Sequence, residues 1–187
     1  TRGHHAGYYP GAKNMVLKLI FDENGKIFGA QAVGEAGVDK RIDVIATAIK
    51  GNLTVYDLPE IEITYAPPYN SAKDPVNIAG YTAENILKGD LEMVNYDEFW
   101  DFVKENNAVI LDVRTSKEFS GGAIEGAINI NVDDLRENLQ NLDKNKVYAI
   151  YCQVGLRGYL ANRIMRNNGF RAVNLNGGYN LWAKANS

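Results

Sequence analysis

The stretch "YAIYCQVGLRGYL", residues 148–160, contains the only cysteine of this 187-residue chain, followed by a glycine three residues on and an arginine two beyond that. Val147, Ala149 and Tyr151 alternate with Tyr148 and Ile150 in a short apolar, β-favouring run that predicts a buried strand over 146–151. Leu156, Leu160 and Ile164 then recur at four-residue spacing, with Ala161 and Met165 widening the stripe. Arg163 and Arg166 fall on another face, and Gly169 ends a helix over 156–168. Cys152 therefore lies between a strand end and a helix start, where unpaired N–H groups and the positive end of the helix dipole favour a thiolate. A lone cysteine is also an ordinary small core hydrophobe; its position at this junction favours the reactive reading.

The rest of the chain sets that junction in an α/β frame. The second half predicts helix 95–106, strand 108–113, short helix 115–120, strand 127–131 and helix 132–142, then the strand and helix around Cys152. Strand 172–176 and helix 178–185 complete it, giving a mostly parallel sheet. Ligands of such sheets bind beyond the carboxyl ends of the strands, which places Cys152 there together with Asp112 and Arg114 of "VILDVR" as candidates for the same rim. The first half is α+β. "MVLKLIFDENGKIFGAQAVG" reads as strands Met15–Phe21 and Ile27–Gly34 joined at Asn24-Gly25. Val38, Ile42, Ile45, Ala46 and Ile49 mark a helix ending at Gly51-Asn52, and 59–89 predicts a short strand, a proline-rich loop and a helix from about Pro75. The change of character across "KGDLEMVNY", residues 88–96, divides the chain into domains 1–92 and 93–187.

Composition excludes several function classes. Apolar residues make up 45%, charged residues 23%, and the net charge is −3 with both signs spread evenly, so nothing resembles a nucleic-acid patch. No run reaches membrane-span length, and "TRGHHAGYYPGAK" has no apolar segment of the kind a signal peptide needs. One cysteine forms no internal disulfide, which agrees with a reducing, cytoplasmic setting. "GAQAVGEAG" has neither the spacing of a dinucleotide-binding loop nor the GK[ST] of a phosphate loop. His4 and His5, adjacent on an extended segment, are expected to point apart, and no metal site is expected.

"LDVRTSKEF", "GAINI", "CQVGLRG" and "NLNGGYNLW" resemble, in this order, the motifs of a rhodanese domain. The resemblance implies a sulfurtransferase whose cysteine, here Cys152, takes a sulfane sulfur, becomes a persulfide and passes the sulfur to a nucleophile. The residue types suit that chemistry. The backbone of Gln153, Val154, Gly155, Leu156, Arg157 and Gly158 supplies N–H donors, Arg157 a cation, and Gly155 the freedom to curl around the sulfur. Cysteine phosphatases share the framework but place five residues between cysteine and arginine, and Tyr151 stands where they carry histidine; the four here make a tighter ring. Ala123 departs from a histidine common in rhodaneses, and a change of packing or substrate rim is expected from it.

"HHAGYYPGA", "GVDKRIDVIATAI", "LTVYDL" and "YAPPYNSAKDPVNIAGY" resemble the C-terminal dimerisation domain of coenzyme A-disulfide reductases. That resemblance implies a homodimer through the first half, and a fragment of a parent that uses FAD and NAD(P)H to reduce coenzyme A disulfide, coenzyme A persulfide or polysulfide. No cofactor is expected in this chain itself. It further implies that Tyr8 and Tyr65 reach the partner subunit's reductase site, where a phenol stabilises a leaving thiolate. Thiosulfate, polysulfide and coenzyme A persulfide are the expected sulfur partners, with no nucleic acid and no membrane. A second reading, a dimerisation and interaction fragment with an idle rhodanese site, is disfavoured by the intact loop from Cys152 to Arg157.

Overall fold

A computed structural model describes residues 1–186 and divides the chain into two compact units, Thr1–Gly89 and the remainder from Asp90 onwards. In the first unit, β1 (Arg2–Gly3), β2 (Asn14–Phe21) and β3 (Ile27–Gly34) form an antiparallel sheet in that order. The turn between β2 and β3 closes where Asp22 Oδ1 accepts from the N–H groups of Asn24 and Lys26, while Gly25 takes the positive φ of 82° that the turn requires. α1 (Val38–Lys50) and α2 (Pro75–Leu87) pack on the sheet, burying Ile27, Ile45, Ala48, Val55, Leu58, Val76 and Ala83 together. α2 starts where sequence expected: Pro75 occupies its first turn, and Asp74 with Asn77 forms a capping box.

Two features of this unit depart from the sequence expectation. The stretch 59–66 is not a strand: Leu58–Glu60 makes a 3-10 turn and the chain then runs extended without a sheet partner. The Asn77 amide donates to the carbonyls of Leu58 and Ile61, at 2.9 and 3.0 Å, and so replaces the bonds a neighbouring strand would have made. α1 buries Arg41, Ile45 and Ala48, whereas Ala46 is exposed. Arg41 is admitted because Asp74 neutralises it and four acceptor groups take its donors.

In the second unit, β4 (Met93–Val94), β5 (Val109–Asp112), β6 (Ile128–Asn129), β7 (Val147–Tyr151) and β8 (Arg171–Leu175) form a parallel sheet in the order β4-β8-β7-β5-β6. Its helices are α3 (Phe99–Glu105), α4 (Ser116–Ser120), α5 (Leu135–Asn138, continued by a 3-10 turn over Leu139–Asn141), α6 (Leu156–Asn167) and α7 (Gly178–Ala185). The fold is the expected α/β, with β4 as an unforeseen edge strand too short for periodicity to mark. β7 is buried throughout, and its alternation feeds two cores: Tyr148, Ile150 and Cys152 join Leu111, Ala161, Met165 and Phe170 on one face. Ala149 and Tyr151 join Phe99, Ile110, Val173 and Leu175 on the other.

α6 corrects the expected face. Ala161, Ile164 and Met165 are buried as expected, but Gly158 and Asn162 take the remaining inward positions, leaving Leu156 and Leu160 exposed. The physical reason is a close approach at Gly158, where a Cβ would stand 2.1 Å from Asn174 Oδ1. Only glycine there lets the first turn of α6 rest on β8, and that contact fixes the helix rotation. No helix among the described residues is long and apolar enough to cross a membrane.

Candidate active site

Cys152 is the residue after β7, and β7 lies beside β5 with Tyr151 paired to Asp112, so both strands deliver their carboxyl ends to one place. The thiol is free and almost fully buried. Its Sγ accepts the N–H of Gly155 at 3.1 Å. Gly155 has φ 124°, a conformation closed to residues with a side chain, and α6 begins immediately after it. Gln153, Val154, Gly155 and Arg157 are half-buried, Leu156 is exposed and Gly158 is buried, so the loop forms a rim over the thiol.

The loop's orientation comes from α7, which starts inside the "NLNGGYNLW" motif and whose part in the site no local pattern marks. The N–H of Tyr179 donates to the Cys152 carbonyl at 2.7 Å, and that of Asn180 to the Gln153 carbonyl at 3.1 Å. The Asn180 side chain also bonds that of Gln153. These bonds hold both carbonyls against the start of α7. Gly177 and Gly178 permit the approach, with φ of 79° and 64°; a Cβ on Gly178 would lie 2.5 Å from the Cys152 oxygen.

Asp112 and Arg114 lie at the carboxyl end of β5 beside the Cys152 loop, and both are buried. Arg114 is a brace: its Nε and Nη2 bond Asp112, Nη1 donates to Gln153 Oε1 at 3.0 Å, and Nη2 also donates to the Gly122 carbonyl at 2.7 Å. The guanidinium lies 4.2 Å from the Tyr179 ring centre, tying β5, the loop and α7 together. Burial alone would lower the Arg114 pKa, but the hydrogen bonds and charge of Asp112 leave it raised. Ala123 sits in the segment this brace anchors, between the Gly122 carbonyl and Ile124, whose N–H donates to Tyr151 Oη at 3.1 Å. The backbone there is held through its neighbours without a hydrogen-bonding side chain at 123.

Arg157 is engaged by a residue that sequence reasoning did not single out. Its Nη1 and Nη2 donate to Glu118 Oε2 and Oε1 at 2.8 and 2.6 Å, a two-pronged pair. Glu118 is preset by α4, whose capping box has Glu118 accepting from the N–H and hydroxyl of Thr115. The Arg157 guanidinium, followed by bonds from Thr115, lowers the Glu118 pKa from its ordinary value to about 2 despite partial burial. Arg157 is in turn raised, by Glu118 first and to a lesser degree by the nearby Cys152 and Asp112. The T-x-x-E spacing of residues 115–118 was the available signal for Glu118; it gave the cap and not the ion pair.

The first unit brings its two singled-out tyrosines together. Tyr8 Oη and Tyr65 Oη lie 3.2 Å apart, on side chains exposed at 76% and 51%, so a hydroxyl pair faces outward. The bond to Tyr65 raises the Tyr8 pKa. Arg41 holds both carrier loops: its Nη2 donates to the His4 carbonyl and to Asn70 Oδ1, and Asn70 bonds Thr64 through its amide and Ala6 through its carbonyl. His4 and His5 do not point apart. A bend at these residues brings the rings to 4.1 Å, with His5 buried against Tyr9 and His4 bonded to the Lys13 backbone. Among the described residues no cluster suits a metal ion.

Comparison with known proteins follows this division. Residues 95–185 match the family described as rhodanese-like domain, and residues 2–75 the pyridine nucleotide-disulphide oxidoreductase dimerisation domain. The coenzyme A disulfide reductase of Staphylococcus haemolyticus is 51% identical over 85 residues, 45% of this chain and 19% of that protein. The structure of reduced Bacillus anthracis CoADR-RHD is 50% identical with a TM-score of 0.93, covering 97% of this chain and 33% of that one. The NAD-dependent persulfide reductase from A. fulgidus is 37% identical with a TM-score of 0.86, covering 97% of this chain and 32% of that one. The chain thus spans about a third of those two structures and a fifth of the curated relative. The chain thus joins a pyridine nucleotide-disulphide oxidoreductase dimerisation domain in its first unit to a rhodanese-like domain in its second.

Proposed function

We propose that Cys152 accepts a sulfane sulfur, holds it as a persulfide and hands it to a thiol or another nucleophile, as one part of an FAD- and NAD(P)H-dependent reductase of coenzyme A disulfide or persulfide. The observation that carries the reading is the 3.1 Å bond from the Gly155 N–H to Sγ, in a loop whose first two carbonyls are occupied by α7. A thiolate there has a donor aimed at it before any substrate arrives, and arrangement in advance is what makes such donors effective. The thiolate attacks the outer sulfur of the donor, the donor's S–S bond breaks, and its electron pair leaves with the departing group. Arg157, paired with Glu118, borders the loop, and Arg114 keeps Gln153 in place.

In the first unit, the paired hydroxyls of Tyr8 and Tyr65 complete the reductase site of a partner subunit in a homodimer, donating a hydrogen bond to a departing thiolate. The residues of this chain do not fit FAD or NAD(P)H: the glycines before α1, α6 and α7 lack the spacing of a nucleotide loop, and Gly178 packs on the Cys152 backbone. Flavin and nicotinamide chemistry belongs to other parts of the parent, whose place of action is the cytoplasm. The sulfur partners are thiosulfate, polysulfide or coenzyme A persulfide.

The test is mass spectrometry of the purified chain after polysulfide treatment under non-reducing conditions. The peptide containing Cys152 gains the mass of one sulfur atom and loses it again on adding a thiol acceptor, while Cys152→Ser gains nothing. A wild-type peptide that stays unloaded overturns the proposal and leaves an interaction fragment.

A further inference from the structure

The two guanidinium groups that reach the Cys152 loop are both already matched by carboxylates. Arg114 is held by Asp112, and Arg157 by the fork-to-fork pair with Glu118. Each pair carries no net charge. The remaining loop side chains, Gln153, Val154 and Leu156, are uncharged. What the loop presents to an incoming sulfur donor is therefore a set of amides and an apolar rim, with its cations cancelled.

We propose that Glu118 is a specificity-determining residue of this site: by cancelling the Arg157 charge it biases loading of Cys152 toward persulfides, whose transferred end brings no more than one negative charge to the loop, and against compact dianions such as thiosulfate. The inference rests on the sulfur-transfer reading of Cys152 and concerns which donor loads it. With a persulfide R–S–S–H, the Cys152 thiolate attacks the terminal sulfur and the S–S bond breaks. R–S⁻ leaves with the electron pair, and the proton stays on the transferred sulfur. With thiosulfate the same attack expels sulfite, and two negative charges must first approach a thiolate. A free guanidinium would offset that repulsion. The same charge, held between Glu118 oxygens, offsets little of it.

Glu118→Gln tests this directly, because the amide oxygen still accepts from Thr115 and the cap is retained, while the negative charge is gone. Loading of Cys152 is followed by mass spectrometry with thiosulfate and, separately, with the persulfide of 2-mercaptoethanol, and kcat/KM is taken for each. The expected result is a shift of the thiosulfate-to-persulfide ratio in favour of thiosulfate by about fourfold or more, the effect of one charge at ~5 Å screened nearly as in water. Added salt should shrink the shift. A ratio that stays the same, or moves toward the persulfide, overturns the role of Glu118 while leaving sulfur transfer at Cys152 intact. Failure of both donors to load the wild type overturns both.

Should the variant fold poorly, the wild type supplies an independent reading. At equal ionic strength, sulfate should slow alkylation of Cys152 by neutral iodoacetamide no more than nitrate does. Selective protection by sulfate would mean that the loop holds a dianion, and the inference falls.

Discussion

Replacing Gly178 by alanine should damage the site from outside the loop that bears Cys152. A Cβ at 178 would stand 2.5 Å from the Cys152 oxygen and 2.9 Å from Gln153 C and Val154 N. All three are backbone atoms, so no flexible side chain can swing aside. The residue also has φ 64°, which costs a non-glycine residue on the order of 1–3 kcal/mol. Forcing the methyl group between α7 and the loop adds about 1–3 kcal/mol of overpacking. Together roughly 2–6 kcal/mol is lost from a unit whose total stability is on the order of 5–15 kcal/mol. At about 4–8 °C per kcal/mol for a unit of this size, the transition should fall by at least about 8 °C. Gly126→Ala is the control, because it has a comparable φ of 77° but nothing within 4 Å of its Cβ. Thermal unfolding separates collision from backbone strain, and persulfide loading of Cys152 at a temperature where both variants are folded reports the loop. If Gly178→Ala matches Gly126→Ala in both transition and loading, the argument that α7 positions the loop is wrong.

Three other outcomes follow from single contacts. Because Glu118 is ionised down to about pH 2 when folded and has an ordinary carboxylate pKa unfolded, its contribution is present above about pH 4.5 and lost as pH falls toward 2. Wild type should therefore lose about 1 kcal/mol more than Glu118→Gln across that range, after discounting for solvent screening, and superimposable acid-unfolding curves would refute it. In Tyr65→Phe the Tyr8 phenol should ionise at lower pH than in wild type, since its raised pKa comes first from Tyr65; an unchanged tyrosine NMR titration of Tyr8 would show that the pair does not form. Arg41→Ala leaves Asp74 buried without its cation and should cost the first unit about 3–5 kcal/mol. A transition of the first unit unchanged by that substitution would remove Arg41 as the tie between the loops carrying Tyr8 and Tyr65.

Those contacts mark where local sequence stops being informative. The β2–β3 hairpin, the start of α2 at Pro75, the alternation of β7 and the place of Cys152 between β7 and α6 were all legible, because each depends on periodicity, turn chemistry or capping within a few residues. The rotation of α6 was not. Four-residue spacing marked Leu156 and Leu160 as core, but Gly158 had to meet β8, and a glycine carries no hydrophobic signal. Arg41 was invisible for the opposite reason, since a charge on a helix reads as solvent-facing until its carboxylate, 33 residues away, is brought beneath it. The site divides in the same way. By itself the sequence determined the place of Cys152, the loop that surrounds it and the tyrosine motifs; the tertiary structure decided that Glu118 holds Arg157 across 39 residues and that Tyr8 meets Tyr65 across 57. Secondary structure is written in the local pattern of burial, whereas polar pairing across such separations exists only after the chain has closed.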